Sequence, residues 1–215
     1  VRAAGEFSQI VPSGVDRPKV GIVGEIYLKF NPFAQKGLTD WLVEQKIEVV
    51  SPVLADFFMQ GFVNRDVKLR TGLEKSRIPD WLMRRIFACM QGIIDSYNAA
   101  ASSFEYFRPL GNIYHEAAAA SKIISLNARF GEGWLLPGEI ATFAASGVNN
   151  VVSLQPFGCI ANHIVAKGVE KRIKTLYPQM NLLSLDFDGS VSDVNITNRL
   201  LLFIDNLKKG GSDAK

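Results

Sequence analysis

Short apolar strands alternating with helices constrain this chain more than any other feature of it. Lys19–Tyr27 (KVGIVGEIY) is rich in β-branched residues and predicts a buried strand. Asn31-Pro32-Phe33 breaks that run, and Gln35–Gln45 follows as a helix, with Leu38, Trp41, Leu42 and Gln45 on neighbouring turns. Ile47–Val53 is a second short buried strand. A strand, a helix and a strand in that order make a βαβ unit, whose crossover is right-handed in nearly all known sheets.

From Ala55 to about Leu126 the strand signals stop. Asp80–Ala100 predicts a long helix with Trp81, Met83, Ile86, Phe87, Met90 and Ile94 near helical spacing, and Tyr114–Leu126 predicts another. Cys89 is expected on the inward side of the first, with Ile86 and Ile93. Alternation then resumes: helix Pro137–Ser146, strand Asn150–Gln155, helix Asn162–Tyr177, strand Asn181–Phe187 and helix Asp193–Lys209. Pro137 suits the first turn of its helix and Gly147 the exit. The expected fold is α/β, a Rossmann-like, doubly wound parallel sheet of about four strands with a helical insertion over about residues 55–128. Residues 1–18 read as a ragged leader or linker from a longer protein, 19–209 as a single α/β domain and 210–215 as a flexible tail.

Composition narrows the function classes. With 215 residues, 47% of them hydrophobic, the chain buries a core without disulfide or metal staples. A net charge of +3 is too weak for a nucleic-acid signature, and no apolar run reaches the length of a membrane span. Cys89 and Cys159 stand far apart with no CxxC motif, which suits a reducing cytoplasm. The expectation is a cytoplasmic protein with neither nucleic acid nor membrane among its partners.

Ligands of doubly wound sheets bind beyond the carboxyl ends of the strands. Four loops qualify: Glu25–Phe33, Ser51–Phe57, Gln155–His163 and Asp186–Ser192. None carries GxGxxG or a P-loop, so a standard dinucleotide or nucleoside triphosphate site is not supported. Gln155-Pro-Phe-Gly158-Cys159 places a thiol between a buried strand and a helix N-terminus, a setting that favours a thiolate ligand or nucleophile. The plainer alternative is a small buried cysteine closing a tight turn. His163, four residues on, steadies an anion or thiolate, or simply packs. A Cys159–His163 hydrolase or transferase lacks an evident orienting acid. His115 reads as structural or exposed.

Glu25, at the end of the first strand, is placed for function, or else caps a neighbouring helix or pairs with a cation. Gly131-Glu-Gly-Trp-Leu-Leu-Pro-Gly-Glu139 reads first as a rigid turn whose Trp134 fills the core; Glu132 and Glu139 are acid–base candidates without an identifiable partner. Val63–Arg85 carries a net charge of +4, either a solvated helix face or a face for the phosphates of a CoA-type ligand or an acidic partner domain.

Four stretches resemble one family: Val20–Phe33 (VGIVGEIYLKFNPF), Gly131–Glu139 (GEGWLLPGE), Gln155–Gly168 (QPFGCIANHIVAKG) and Asp186–Arg199 (DFDGSVSDVNITNR). Together they resemble the uncharacterised domain of CoA-substrate-specific enzyme activase-related proteins, itself similar to the iron–sulfur subunits of 2-hydroxyacyl-CoA dehydratases and benzoyl-CoA reductases. The resemblance implies a 4Fe–4S cluster in the full-length parent, with Cys159 as the ligand on a late strand-to-helix turn and Gly158, His163, Glu25 and Asn31 lining its pocket. The early cysteines of that family match nothing here, so the cluster is not expected in this segment alone.

The expected function is therefore a module of a CoA enzyme activase or dehydratase-like system. It contributes one side of a 4Fe–4S or acyl-CoA site for ATP-linked electron transfer, and is not catalytic by itself. Its partners are ATPase activase modules or a dehydratase-like subunit, with an acyl-CoA as ligand. The alternative is a non-catalytic, Rossmann-like binding or scaffold module for CoA-type ligands or ATPase partner domains.

Overall fold

The structure, a computed structural model, describes residues 2–10, 17–189 and 193–210. Four parallel strands form its sheet: β1 (Lys19–Gly24), β2 (Glu48–Val50), β3 (Asn150–Pro156) and β4 (Asn181–Phe187), in the spatial order β2-β1-β3-β4. The β1/β3 pairing runs from Val20 opposite Asn150 to Gly24 opposite Leu154, and β3/β4 from Asn150 opposite Asn181 to Pro156 opposite Phe187. The α/β, doubly wound fold expected from the alternation is the fold present.

Each strand is apolar on both sides because helices cover both faces. Val20, Ile22, Val152, Leu154 and Leu185 point to one face, packed by Leu38 and Leu42 of α3 (Leu38–Glu44) and by Leu200, Phe203 and Ile204 of α9 (Asp193–Gly210). Val23 and Val151 point to the other. There they meet Ile140 and Phe143 of α7 (Leu135–Ala145) and Ile173 of α8 (Glu170–Leu176). α7 ends as expected: Gly147 adopts φ 78°, and the Val148 N–H donates to the Phe143 carbonyl at 2.9 Å, closing a Schellman turn.

Between β2 and β3 lie α4 (Leu54–Arg70), α5 (Asp80–Ala101) and α6 (Ile113–Ala120), the helical insertion. They build a separate core of Met59, Val63, Val67, Ile113 and Ala117 around Trp134, which is 0% exposed. The indole Nε1 donates to Asn64 Oδ1 at 2.8 Å, satisfying the one polar atom of that ring.

Several expectations need correction. The strand expected over Ile47–Val53 is only Glu48–Val50, and the helix expected over Tyr114–Leu126 is Ile113–Ala120 followed by turns. β1 stops at Gly24, not Tyr27, and a short helix α2 (Ile26–Phe30) follows immediately. Gly24 has φ 135°, and a Cβ there would lie 2.2 Å from the Leu154 carbonyl oxygen, so the chain turns off the sheet where only glycine fits. The helix expected over Asn162–Tyr177 is two pieces, a π-helix over Ala161–Ala166 and α8, separated by a turn in which a Cβ at Gly168 would lie 2.2 Å from the Ile164 carbonyl oxygen.

Cys89 is exposed. Met83, Phe87, Met90 and Ile94 face inward instead, leaving Ile86 and Ile93 outside. Finally, part of the leader is helical, as α1 (Arg2–Phe7), whose Phe7 ring lies 5.9 Å from that of Phe104. The rest of the expected leader (1 and 11–16), the end of the Asp186–Ser192 loop (190–192) and the tail (211–215) lie outside the described residues. No helix among the described residues is long and apolar enough to cross a membrane.

Gly147→Ala places a Cβ in open space at a left-handed position, at a cost of about 1–2 kcal/mol. Gly24→Ala adds a backbone clash to the same strain. Urea midpoints should fall in the order wild type, Gly147→Ala, Gly24→Ala.

Candidate functional site

The strand order reverses between β1 and β3: the chain leaves β1 toward β2 on one side and leaves β3 toward β4 on the other. In sheets of this kind ligands bind at such a switch point, in the crevice outside the carboxyl ends of the two central strands. Glu25 follows Gly24 on one lip, and its N–H donates to the Leu154 carbonyl at 3.2 Å, continuing the pairing one residue past the strand. Phe157, Gly158 and Cys159 follow β3 on the other lip.

Cys159 is half-buried, and its sulfur accepts a 3.2 Å hydrogen bond from Asn162 Nδ2. Asn162 is fully buried on the inner side of the π-helix, whose Lys167 N–H reaches back to the Asn162 carbonyl at 2.9 Å. A π-helical turn inserts an extra residue into the helical stack, and such turns concentrate at functional sites. Because this element is only six residues long, the dipole of a long helix does not stand behind the thiol; the Asn162 amide does that work locally.

His163 sits one turn further, its ring 6.2 Å from that of Phe157. His163 Nδ1 lies 3.7 Å and Lys167 Nζ 3.8 Å from the two carboxylate oxygens of Asp186 at the end of β4. Asp186 is thus the acid neighbour of His163 that spacing did not identify. Beneath the lip, Gln155 is 0% exposed, and both ends of its amide, like Asn162 Oδ1, find no hydrogen-bond partner among the described residues. Buried amides are normally satisfied, so these unpaired groups stand out beside the end of β3.

The other candidates are engaged in the backbone. Glu25 caps α2, accepting from the Leu28 N–H at 3.1 Å, which is the capping alternative for this residue. Asn31 ends α2 and holds its own turn, accepting from Phe33 and Ala34 N–H groups at 3.0 and 3.3 Å. Gly158, at φ 81°, turns the chain into Cys159. His115 is exposed.

Trp134 fills the core as expected of the glycine-rich turn, but its two acids have specific partners. Glu132 Oε1 accepts from the Ile26 N–H at 2.9 Å. Glu139 Oε1 meets Lys29 Nζ at 2.5 Å, with both side chains almost fully buried. Burial pushes Glu139 up to about 7 in spite of Lys29, and pushes Asp56 up to about 6, again against the pull of Lys29. Glu116 is held well above the usual carboxylate range by burial and then by Glu139 and Asp56. One ammonium thus serves a surplus of acids from α4, α6 and α7. The signal for it was present: an acid inside the apolar run Leu135–Ala141 needs a buried partner.

A four-iron cluster needs four ligands, normally thiolates. Cys159 is the one thiol at the crevice, Cys89 stands on the outward face of α5, and no three His, Cys, Asp or Glu side chains converge to hold a metal among the described residues. The described residues by themselves do not fit such a cluster.

The acid surplus sets a pH dependence. Between about pH 4.5 and 7 the folded chain retains protons on Glu139 and Asp56 that the unfolded chain has released, so stability falls as pH rises through that window. Denaturation at pH 5 and 7.5 should show this slope in the wild type and a shallower one in Asp56→Asn. Lys29→Met should cost about 3–5 kcal/mol, and more at higher pH, whereas Lys29→Met combined with Glu139→Leu regains much of that loss.

Comparison of the chain with family models, curated proteins and solved structures finds no match.

Proposed function

We propose that the β1/β3 crevice is the working end of a module in an acyl-CoA redox system of the 2-hydroxyacyl-CoA dehydratase or CoA-enzyme-activase kind. In this reading Cys159 is offered as a single thiolate ligand to an iron–sulfur cluster whose other ligands come from outside the described residues. The observation that carries the reading is the half-buried Cys159 thiol at the switch point, with an amide N–H of buried Asn162 directed at its sulfur. A donor fixed on the sulfur strengthens as charge accumulates there, which is how neighbouring groups tune thiolate ligands. The resemblance of the QPFGC and GEGW stretches to that family supports the same reading.

Residues around the thiol divide the remaining work. Phe157 and Ile160, 75% and 61% exposed, supply apolar surface beside it. His163 and Lys167 place basic groups near Asp186 at the rim, and the Gln155 amide and Asn162 Oδ1 are unpaired polar atoms beneath it. The module binds and positions; ATP-driven electron delivery belongs to partner ATPase modules.

Iron and acid-labile sulfide measured in anaerobically purified full-length protein test this. Wild type and Cys89→Ser should carry both, and Cys159→Ser should lose most of them. Equal iron in Cys159→Ser, or none in any form after reconstitution with iron and sulfide, overturns the proposal.

A further inference from the structure

A second concave site lies away from the crevice, between α4 and α5, with a volume of about 390 Å³. Its wall is apolar: Phe62 and Leu69 of α4, and Met83 and Phe87 of α5. Phe87 is fixed by edge-on contacts with Phe62 at 5.3 Å and Tyr114 at 5.1 Å, so this wall is rigid where the rings meet. Three guanidiniums line the same space, those of Arg65, Arg70 and Arg84.

The two acids of the cavity are already committed. Asp80 takes Arg65 Nη2 at 2.6 Å, and Asp66 accepts the Tyr114 hydroxyl at 2.8 Å beside Arg65 at 3.5 Å. Arg65 is further tied to Ser76 Oγ and the Ile78 carbonyl. The side chains of Arg70, the last residue of α4 and electrostatically felt by Tyr114, and of Arg84, in the first turns of α5, make neither an ion pair nor a hydrogen bond among the described residues.

We propose that this cavity binds a small organic phosphate: a phosphate monoester held by Arg70 and Arg84, with a ring-sized apolar body against Leu69, Met83 and Phe87. A monoester carries close to two negative charges and three acceptor oxygens, which matches two guanidiniums arriving from different helices. A single carboxylate satisfies one such fork. The volume is at the lower end for ligand pockets, which fits one ring plus its phosphate and excludes larger bodies from full enclosure. The site uses no residue of the crevice, so it goes beyond the Cys159 reading and stands or falls separately.

Phenyl phosphate is the probe, titrated by calorimetry into the folded full chain, with inorganic phosphate and phenol as the two halves of the ligand. Saturable binding of phenyl phosphate, tighter than either half, is expected. Arg70→Gln and Arg84→Gln should each weaken it about tenfold. Arg77→Gln, a change of the same charge outside the cavity lining, should leave it unchanged, and so should Cys159→Ser. Circular dichroism melting of each variant separates lost binding from lost folding. Absence of saturable binding in the millimolar range overturns the proposal. An equal loss in Arg77→Gln also overturns it by marking diffuse charge attraction, and a loss confined to Cys159→Ser does so by moving the ligand to the crevice.

Discussion

The ammonium of Lys29 is the constraint on which the junction between sheet and helical insertion depends. It sits on α2, directly after the central strand β1, and reaches Glu139 on α7 while acting on Asp56 of α4 and Glu116 of α6. Four helices from both parts of the molecule therefore meet at one charge. A buried ion pair of this kind roughly breaks even against well-packed apolar residues, but once the acids are in place the cation is obligatory. The partial protonation of the acids relieves what one lysine cannot neutralise.

With that junction held, the end of β1 is free to turn sharply at Gly24 and present its lip to the loop after β3. The crevice results from strand order, and its chemistry results from what the π-helix brings to it. Asn162 is directed at the sulfur because an extra residue in the turn places it inward beside Ala161, Val165 and Ala166. Glu25 and Asn31 shape the opposite lip by holding backbone, so one side of the crevice is scaffold and the other carries the functional groups.

The alternation of short β-branched runs with helices was enough to read the parallel sheet, and the bounds of β4 and α9 follow from it closely. Periodicity was a poorer guide where a helix offers two apolar stripes of similar quality. On α5, Ile86, Cys89 and Ile93 form as good a stripe as Met83, Phe87, Met90 and Ile94, and only the packing around Tyr114 and Trp134 chooses between them. The end of β1 was misread because IYLKF suits strand and helix alike, and the Gly24 turn decides it. Cys159 and His163 were visible as residue types at a strand end. Their companions Asn162, Gln155 and Asp186 were not, because an amide or acid is ordinary in sequence until a sheet register places it beside a thiol or an imidazole. Lys29 and Glu139 lie 110 positions apart, and only the α7 packing unites them.

α5 is 22 residues long, yet none of its residues is buried, whereas α4 buries four. Every anchor of α5 is thus partly wet, and its detachment exposes little new apolar surface compared with the opening of any strand. In native-state hydrogen exchange its amides are expected to open before those of the strands. The two walls of the arginine-lined cavity consequently differ in how they are anchored: α4 by fully buried side chains, α5 by half-buried ones, with Phe87 the ring that ties it to Phe62 and Tyr114.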